Sequence, residues 1–280
     1  MAAGHRRRLR KILAAATAWM AVIAGAPLAA ATGVYHASII IDDLGQNLER
    51  VEDMIATDIP LTLAILPGTP YAEHTAHLAK RHDKEIMLHL PMQSVRHHHR
   101  QTAGTLTLHM SKQAFVRQLK QNLEAVPDIK GINNHMGSLM TRHPGYMSWL
   151  MQTLAELDEL FFVDSRTTEQ SVAARIAREY RVPSLQRDVF LDPEYNTETL
   201  DKQFQRFIDI ARERGTALAI AHPHPLSIQY LLTNIPRLAQ HGIRLVPVSE
   251  LIRLRQQAAT RHPEEESEHV TCTGSTCAGM

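Results

Sequence analysis

The sequence predicts an α/β fold, a (β/α)-barrel, on three observations. Short aliphatic runs alternate with helix-period segments from position 38 to position 252. The runs are continuously apolar, as strands covered by helices on a parallel sheet must be. Polar residues able to do chemistry stand at the end of one run after another. In a barrel all such strand ends meet at one mouth, whereas an open doubly wound sheet spreads them along an edge. Periodicity alone fits both arrangements; the strand-end residues favour the barrel.

Taken in order, residues 1–31 read as a signal peptide rather than as part of the fold. Arg6, Arg7, Arg8, Arg10 and Lys11 precede an apolar run over 12–26, and Ala29-Ala30-Ala31 supplies small residues for cleavage. The expected location is therefore periplasmic or secreted, with a barrel domain over 32–258. No later stretch reaches the ~18 apolar residues of a membrane span, so no span is expected after cleavage. Strands are expected at 38–41, 61–66, 85–90, 129–133, 160–163, 216–221 and 244–248, with 189–191 as a short extra strand or an edge. Helices are expected at 111–125, 146–159, 171–180, 197–214 and 226–240. Ser111 opens the first of these as an N-cap. Gly215 and Gly242 follow two others where a C-cap glycine belongs. The polar segment 259–280 lacks periodic apolar residues and reads as a disordered tail. It holds both cysteines, Cys272 and Cys277, a weak metal signal but able to close a small disulfide loop in an oxidising compartment. The basic stretch Arg96-His97-His98-His99-Arg100 reads as a solvated loop.

Composition excludes some functions. A formal net charge of +1 gives no reason to expect nucleic acid as a partner. Neither a G-x-G-x-x-G nor a Walker sequence opens a helix, so nucleotide cofactors are not expected. Seventeen histidines against six tyrosines and six phenylalanines direct attention to where the histidines sit, since imidazole is the commonest metal ligand.

Asp42-Asp43, after Ile39-Ile40-Ile41, is the sharpest signal. Adjacent carboxylates repel, and a helix cap explains one aspartate but not two. His89 interrupts the apolar run Met87-Leu88, His135 follows Asn133-Asn134, Asp164 follows Phe161-Phe162-Val163 and His222 follows Ala219-Ile220-Ala221. Two histidines and a carboxylate around an open position describe a catalytic zinc or similar divalent site. Arg166 is the one cation at these strand-end motifs, which disfavours a phosphoester substrate.

Five segments in order carry a resemblance: Asp42-Asp43-Leu44-Gly45, His89-Leu90-Pro91-Met92-Gln93, Asn133-Asn134-His135-Met136-Gly137, Val163-Asp164-Ser165-Arg166-Thr167 and His222-Pro223-His224. Together they resemble the divergent polysaccharide deacetylases, which are similar to the NodB-type carbohydrate esterases. The resemblance implies an incomplete, seven-stranded NodB-like barrel and metal-dependent hydrolysis. It matches Asp42 to a base, Asp43 to a metal ligand, His222 to an acid and Asp164 to the carboxylate that orients His222. His89 matches the first of two ligand histidines normally four apart. Position 93 holds Gln93 instead of the second, and His135 is the candidate replacement. The arginine and prolines usual after the fourth strand are absent, and His224 has no counterpart.

The implied function is removal of an N- or O-acyl (acetyl) group from an envelope polysaccharide. Asp43, His89 and His135 would hold a divalent metal, Zn2+ by preference, with Asp42, His222 and Asp164 as the catalytic set and a carbohydrate as the partner. The rival expectation is an inactive, metal-containing glycan-binding or regulatory envelope protein, favoured by the missing second histidine.

Overall fold

The computed structural model describes residues 34–48, 51–96, 102–157 and 159–268, with side chains to Thr260 in the last segment. The signal-peptide reading, most of the Arg96–Arg100 patch and both cysteines lie outside these residues. The strands are β1 (Tyr35–Leu44), β2 (Thr62–Ile65), β3 (Glu85–Met92), β4 (Gly131–Met136), β5 (Phe161–Asp164), β6 (Ser184–Gln186), β7 (Val189–Phe190), β8 (Thr216–Ala221) and β9 (Ile243–Leu245). The helices are α1 (Glu52–Ile55), α2 (Ala72–Arg81), α3 (Lys112–Glu124), α4 (Pro144–Leu157), α5 (Ala173–Glu179), α6 (Thr197–Arg214), α7 (Pro225–Asn234) and α8 (Val248–Glu268).

The sheet order is β6-β5-β4-β3-β2-β1-β8-β7, with β9 paired to β1, and the pairings are parallel. β6 and β7 end the path and share no ladder, although only Arg187 and Asp188 separate them. The expected incomplete barrel is therefore what forms, with nine strands in the sheet instead of seven, and its seam lies at those two residues. The chain bridges the seam by single hydrogen bonds, Arg187 N–H to Asp164 O at 3.0 Å and Asp188 N–H to Leu218 O at 2.9 Å.

Alternation along the strands separates two buried clusters. Ile39, Ile41, Leu88, Ile132, Phe162 and Ala219 join the large cluster under the helices. Ile40, Met87, Phe161, Val163, Leu218 and Ile220 form a second cluster that fills the barrel. Val248, Leu251 and Ile252 from the start of α8 join that second cluster and close the barrel floor. Glu85 anchors the plug by accepting Ser249 N–H at 3.2 Å, placing a carboxylate at a helix N-terminus.

Differences from expectation have local causes. Ser111 and Asn196 cap α3 and α6 with side-chain acceptors, and Gly215 leaves α6 at φ +79°, so these ends fall where caps predict. β6, only three residues long, was not foreseen because it lacks an apolar run. The expected strand 244–248 is cut short because Val248 already begins α8. That helix continues to Glu268, past the start of the segment read from composition as a disordered tail.

Candidate metal centre at the barrel mouth

Strand parity decides which side chains enter the mouth. Asp42 lies two residues beyond the inward Ile40, His89 two beyond Met87, and His222 two beyond Ile220. Asn133 and His135 share the inward parity of Gly131 on β4. Asp42 and Asp43 would ordinarily point to opposite faces. A register shift against β2 between Ile41 and Leu44 forms a bulge there, and Asp43 adopts φ +58°. A bulge re-aims side chains in this way, so both carboxylates reach one cleft. Met136 (φ +54°), the last residue of β4, and Arg166 (φ +49°), just after β5, also take left-handed backbones. Such conformations cost about 1–3 kcal/mol each and gather at functional sites.

The cleft, about 260 Å³, is lined by Asp42, Asp43, His89, His135, Arg187 and His222 among others. At its floor Asp43 Oδ1 lies 3.1 Å from His89 Nε2 and 2.9 Å from His135 Nδ1, and those two nitrogens are 3.1 Å apart. Asp43 Oδ1 is buried and receives no well-directed hydrogen bond. Burial works to raise its pKa, but the flanking His135 and His89 hold it well below the usual carboxylate range. The His89 tautomer is set from behind. His89 Nδ1 lies 2.7 Å from Asn133 Oδ1, and the Asn133 amide donates to Asp42 Oδ1 at 2.7 Å. An Asn133 amide that donates to Asp42 must accept from His89, so Nδ1 carries the proton and Nε2 turns its lone pair to the cluster.

These residues fit a divalent cation. Tetrahedral zinc with bonds of ~2.0–2.1 Å holds its ligand atoms roughly 3.3 Å apart, and the three atoms here are already within a few tenths of that spacing. Among the described residues, Asp43, His89 and His135 are the group whose ligand atoms converge, all within 4.8 Å. Three protein ligands would leave a fourth position for water or substrate, the donor count of catalytic rather than structural zinc sites.

His222 faces the triad across the cleft, with Nε2 3.9 Å from Asp43 Oδ2. Its Nδ1 lies 3.0 Å from Asp192 Oδ1, and its backbone N–H donates to Asp192 Oδ2 at 2.8 Å. Ser227 Oγ also donates to Asp192 Oδ2 at 2.7 Å. Burial opposes the charged imidazole, yet Asp192 and then Asp42 raise the His222 pKa to about 9. Asp42 is itself buried, and burial pushes its pKa up despite His89.

One expectation is corrected. Asp164 does not hold His222. It shares the parity of Phe162 and faces the helix layer, where it accepts Arg166 N–H at 2.9 Å and Ser171 Oγ–H at 2.7 Å. Asp192 takes the orienting position. Its signal was present in the sequence, an aspartate after the apolar run Val189-Phe190-Leu191, a segment expected as a short extra strand or an edge whose end residue was not counted among the strand-end motifs. Arg187 was also missed, so Arg166 is not the only strand-end cation. Gln93 spends its side chain on Leu108 N–H at 2.8 Å, which is structural. His224 caps α7 and stacks on Tyr195, with ring centroids 4.0 Å apart.

The comparisons agree with this architecture. The chain is 38% identical over 216 residues to an uncharacterized protein of Haemophilus influenzae, covering 77% of this chain and 76% of that one. It is 34% identical over 230 residues to the uncharacterized protein YibQ of Escherichia coli K12, covering 81% and 70%. The crystal structure of an uncharacterized protein of Agrobacterium tumefaciens C58 superposes with a TM-score of 0.73 at 21% identity, covering 78% and 89%, a likeness of fold alone. The family model described as divergent polysaccharide deacetylase matches residues 39–252, from β1 to the helix that plugs the barrel. That span contains the whole cleft, and the chain belongs to the divergent polysaccharide deacetylase family.

Proposed function

We propose that this protein is an exported, zinc-dependent hydrolase that removes an acyl group, acetyl by preference, from an amide or ester of a cell-envelope glycan. The observation that carries the reading is the convergence of Asp43, His89 and His135 opposite a histidine held by a buried carboxylate. A divalent cation in this triad would polarise the acyl carbonyl and acidify water. The protein's own groups supply the proton transfers. Asp42, whose pKa burial raises, is a stronger base than an exposed carboxylate and takes the proton of the attacking water. His222, protonated at neutral pH, donates to the leaving nitrogen or oxygen. Asp192, itself held by the Ser227 hydroxyl, fixes the ring so that Nε2 faces the cleft.

The test is metal analysis of the purified protein together with acetate release from a panel of acetylated glycans. Stoichiometric zinc and acetate release support the reading. Zinc with no release from any member of the panel would favour a metal-containing glycan-binding protein.

A further inference from the structure

A second cleft, about 450 Å³, opens from the barrel seam and shares Arg187 and Phe190 with the wall of the metal cleft. Arg166, Arg206 and Arg214 also line it. Arg214 is spoken for by Asp188, 3.6 Å away, and Asp188 also accepts from Arg255 at 2.8 Å and Leu218 N–H at 2.8 Å. Among the described residues, Arg166, Arg187 and Arg206 form no ion pair within 4.0 Å. Glu169 is the one other carboxylate in the wall, so positive charge prevails there.

Arg187 is held rigidly. Its Nε donates to Ser165 O at 2.7 Å and its Nη2 to Arg166 O at 3.1 Å, and its guanidinium lies 4.9 Å from the Phe190 ring centre. Nη1 has no hydrogen-bond partner among the described residues. Burial lowers the Arg187 pKa against the attraction of Asp42, and Arg166 and Arg206 add repulsion that Asp164 partly offsets. Three guanidinium groups with no ion-pair partner in one groove favour an anion there, and the planar fork can take a carboxylate bidentately.

We propose that this seam groove binds a carboxylate of the substrate, so that the hydrolase acts on an acidic glycan whose charged unit lies beside the acylated one. The inference rests on the hydrolase reading for its catalytic half, and its binding half can be tested separately.

Calorimetric titrations of the metal-loaded protein, with acetate release measured alongside, would use three probes: hexagalacturonate, which carries no acyl group, and two N-acetylated ones, a soluble peptidoglycan disaccharide-tetrapeptide and neutral, fully N-acetylated chitohexaose. At least one carboxylate probe is expected to bind about tenfold tighter than chitohexaose at low salt, and to lose that margin as ionic strength approaches ~0.2 M. Which of the two does so identifies the source of the carboxylate. The double variant Arg166→Gln/Arg206→Gln is expected to lose about tenfold in affinity for that probe, as charged hydrogen bonds warrant, with metal content and chitohexaose binding unchanged. The proposal is overturned if neither carboxylate probe outbinds chitohexaose, or if the preference survives in the double variant. Arginine-dependent binding without acyl release from any glycan would sink the hydrolase reading and leave the groove standing. Acyl release indifferent to substrate charge would do the reverse.

Discussion

Asp192 grips His222 twice, through the ring Nδ1 at 3.0 Å and through the backbone N–H at 2.8 Å. A carboxylate so placed sets both the tautomer and the charge of the imidazole. Asp192→Asn should therefore slow hydrolysis by about 10²–10⁴-fold with metal content retained. Asp164→Asn should leave the rate within a fewfold of wild type, since Asp164 serves the loop before α5. Side-by-side rates of the two variants check the assignment, and equal losses would contradict it.

The same pair makes a pH prediction for the metal-free protein. His222 titrates at about 9 when folded and near its ordinary value of 6.5 when unfolded. A raised folded pKa contributes stability that is complete below the unfolded value and is lost as pH rises through the folded one. The chelated wild type should thus lose stability between pH 6.5 and about 9, and chelated Asp192→Asn should lose less over that window. Denaturant titrations at several pH values measure the difference. Parallel curves would mean that Asp192 does not control His222.

The ligand assignment separates five variants into two groups. Asp43→Asn, His89→Ala and His135→Ala each remove a converging atom and should empty or weaken the metal site. Asp42→Asn and His222→Ala should keep the metal and lose roughly 10²–10⁴-fold in rate. Gln93→Ala should change neither. Elemental analysis alongside acetate release sorts them, and normal metal content in His135→Ala would remove His135 from the set.

Asn133 links Asp42 to His89, and its removal strips an orienting hydrogen bond from a ligand. Asn133→Ala should weaken metal binding about 10–100-fold, the usual effect of losing such a partner. It should also cost about 1–3 kcal/mol of stability, because Asp42 is left buried without its donor. Chelator competition and a denaturant titration measure the two effects. Unchanged metal affinity would show that the His89 tautomer needs no support.

Export is tested by the mature N-terminus. The charged run, apolar stretch and Ala29-Ala30-Ala31 predict cleavage that leaves an N-terminus near Thr32 or Gly33. Mass spectrometry of protein from the envelope fraction should find it. Full-length protein in the cytoplasm would refute both the location and the envelope substrate.

Much of this molecule was legible before folding. Strands announced themselves by apolar runs and helices by period and caps, because burial and capping are local demands on the chain. The residues at the ends of β1, β3, β4 and β8 were found for the same reason, since a polar side chain after a buried run has few bland explanations. Parity was not legible, because the strands are apolar on both faces: only once Val163 and Ile220 are seen to face inward does counting in twos exclude Asp164 from the mouth and admit His222. What the sequence by itself determined, then, was the fold, the family and most of the residues that line the cleft.

Only the tertiary structure decided the rest, because those relationships join residues far apart in the chain through short or irregular segments. The bulge at Asp42-Asp43 depends on how β1 registers against β2, which no local pattern encodes. Asp192 reaches His222 only because β7 pairs with β8, a two-residue strand held by its neighbour rather than by its own composition. Arg187 meets Arg166 and Arg206 only because β6 and β7 leave the barrel unclosed between them, where the side chains of a loop, a seam and a helix share one groove.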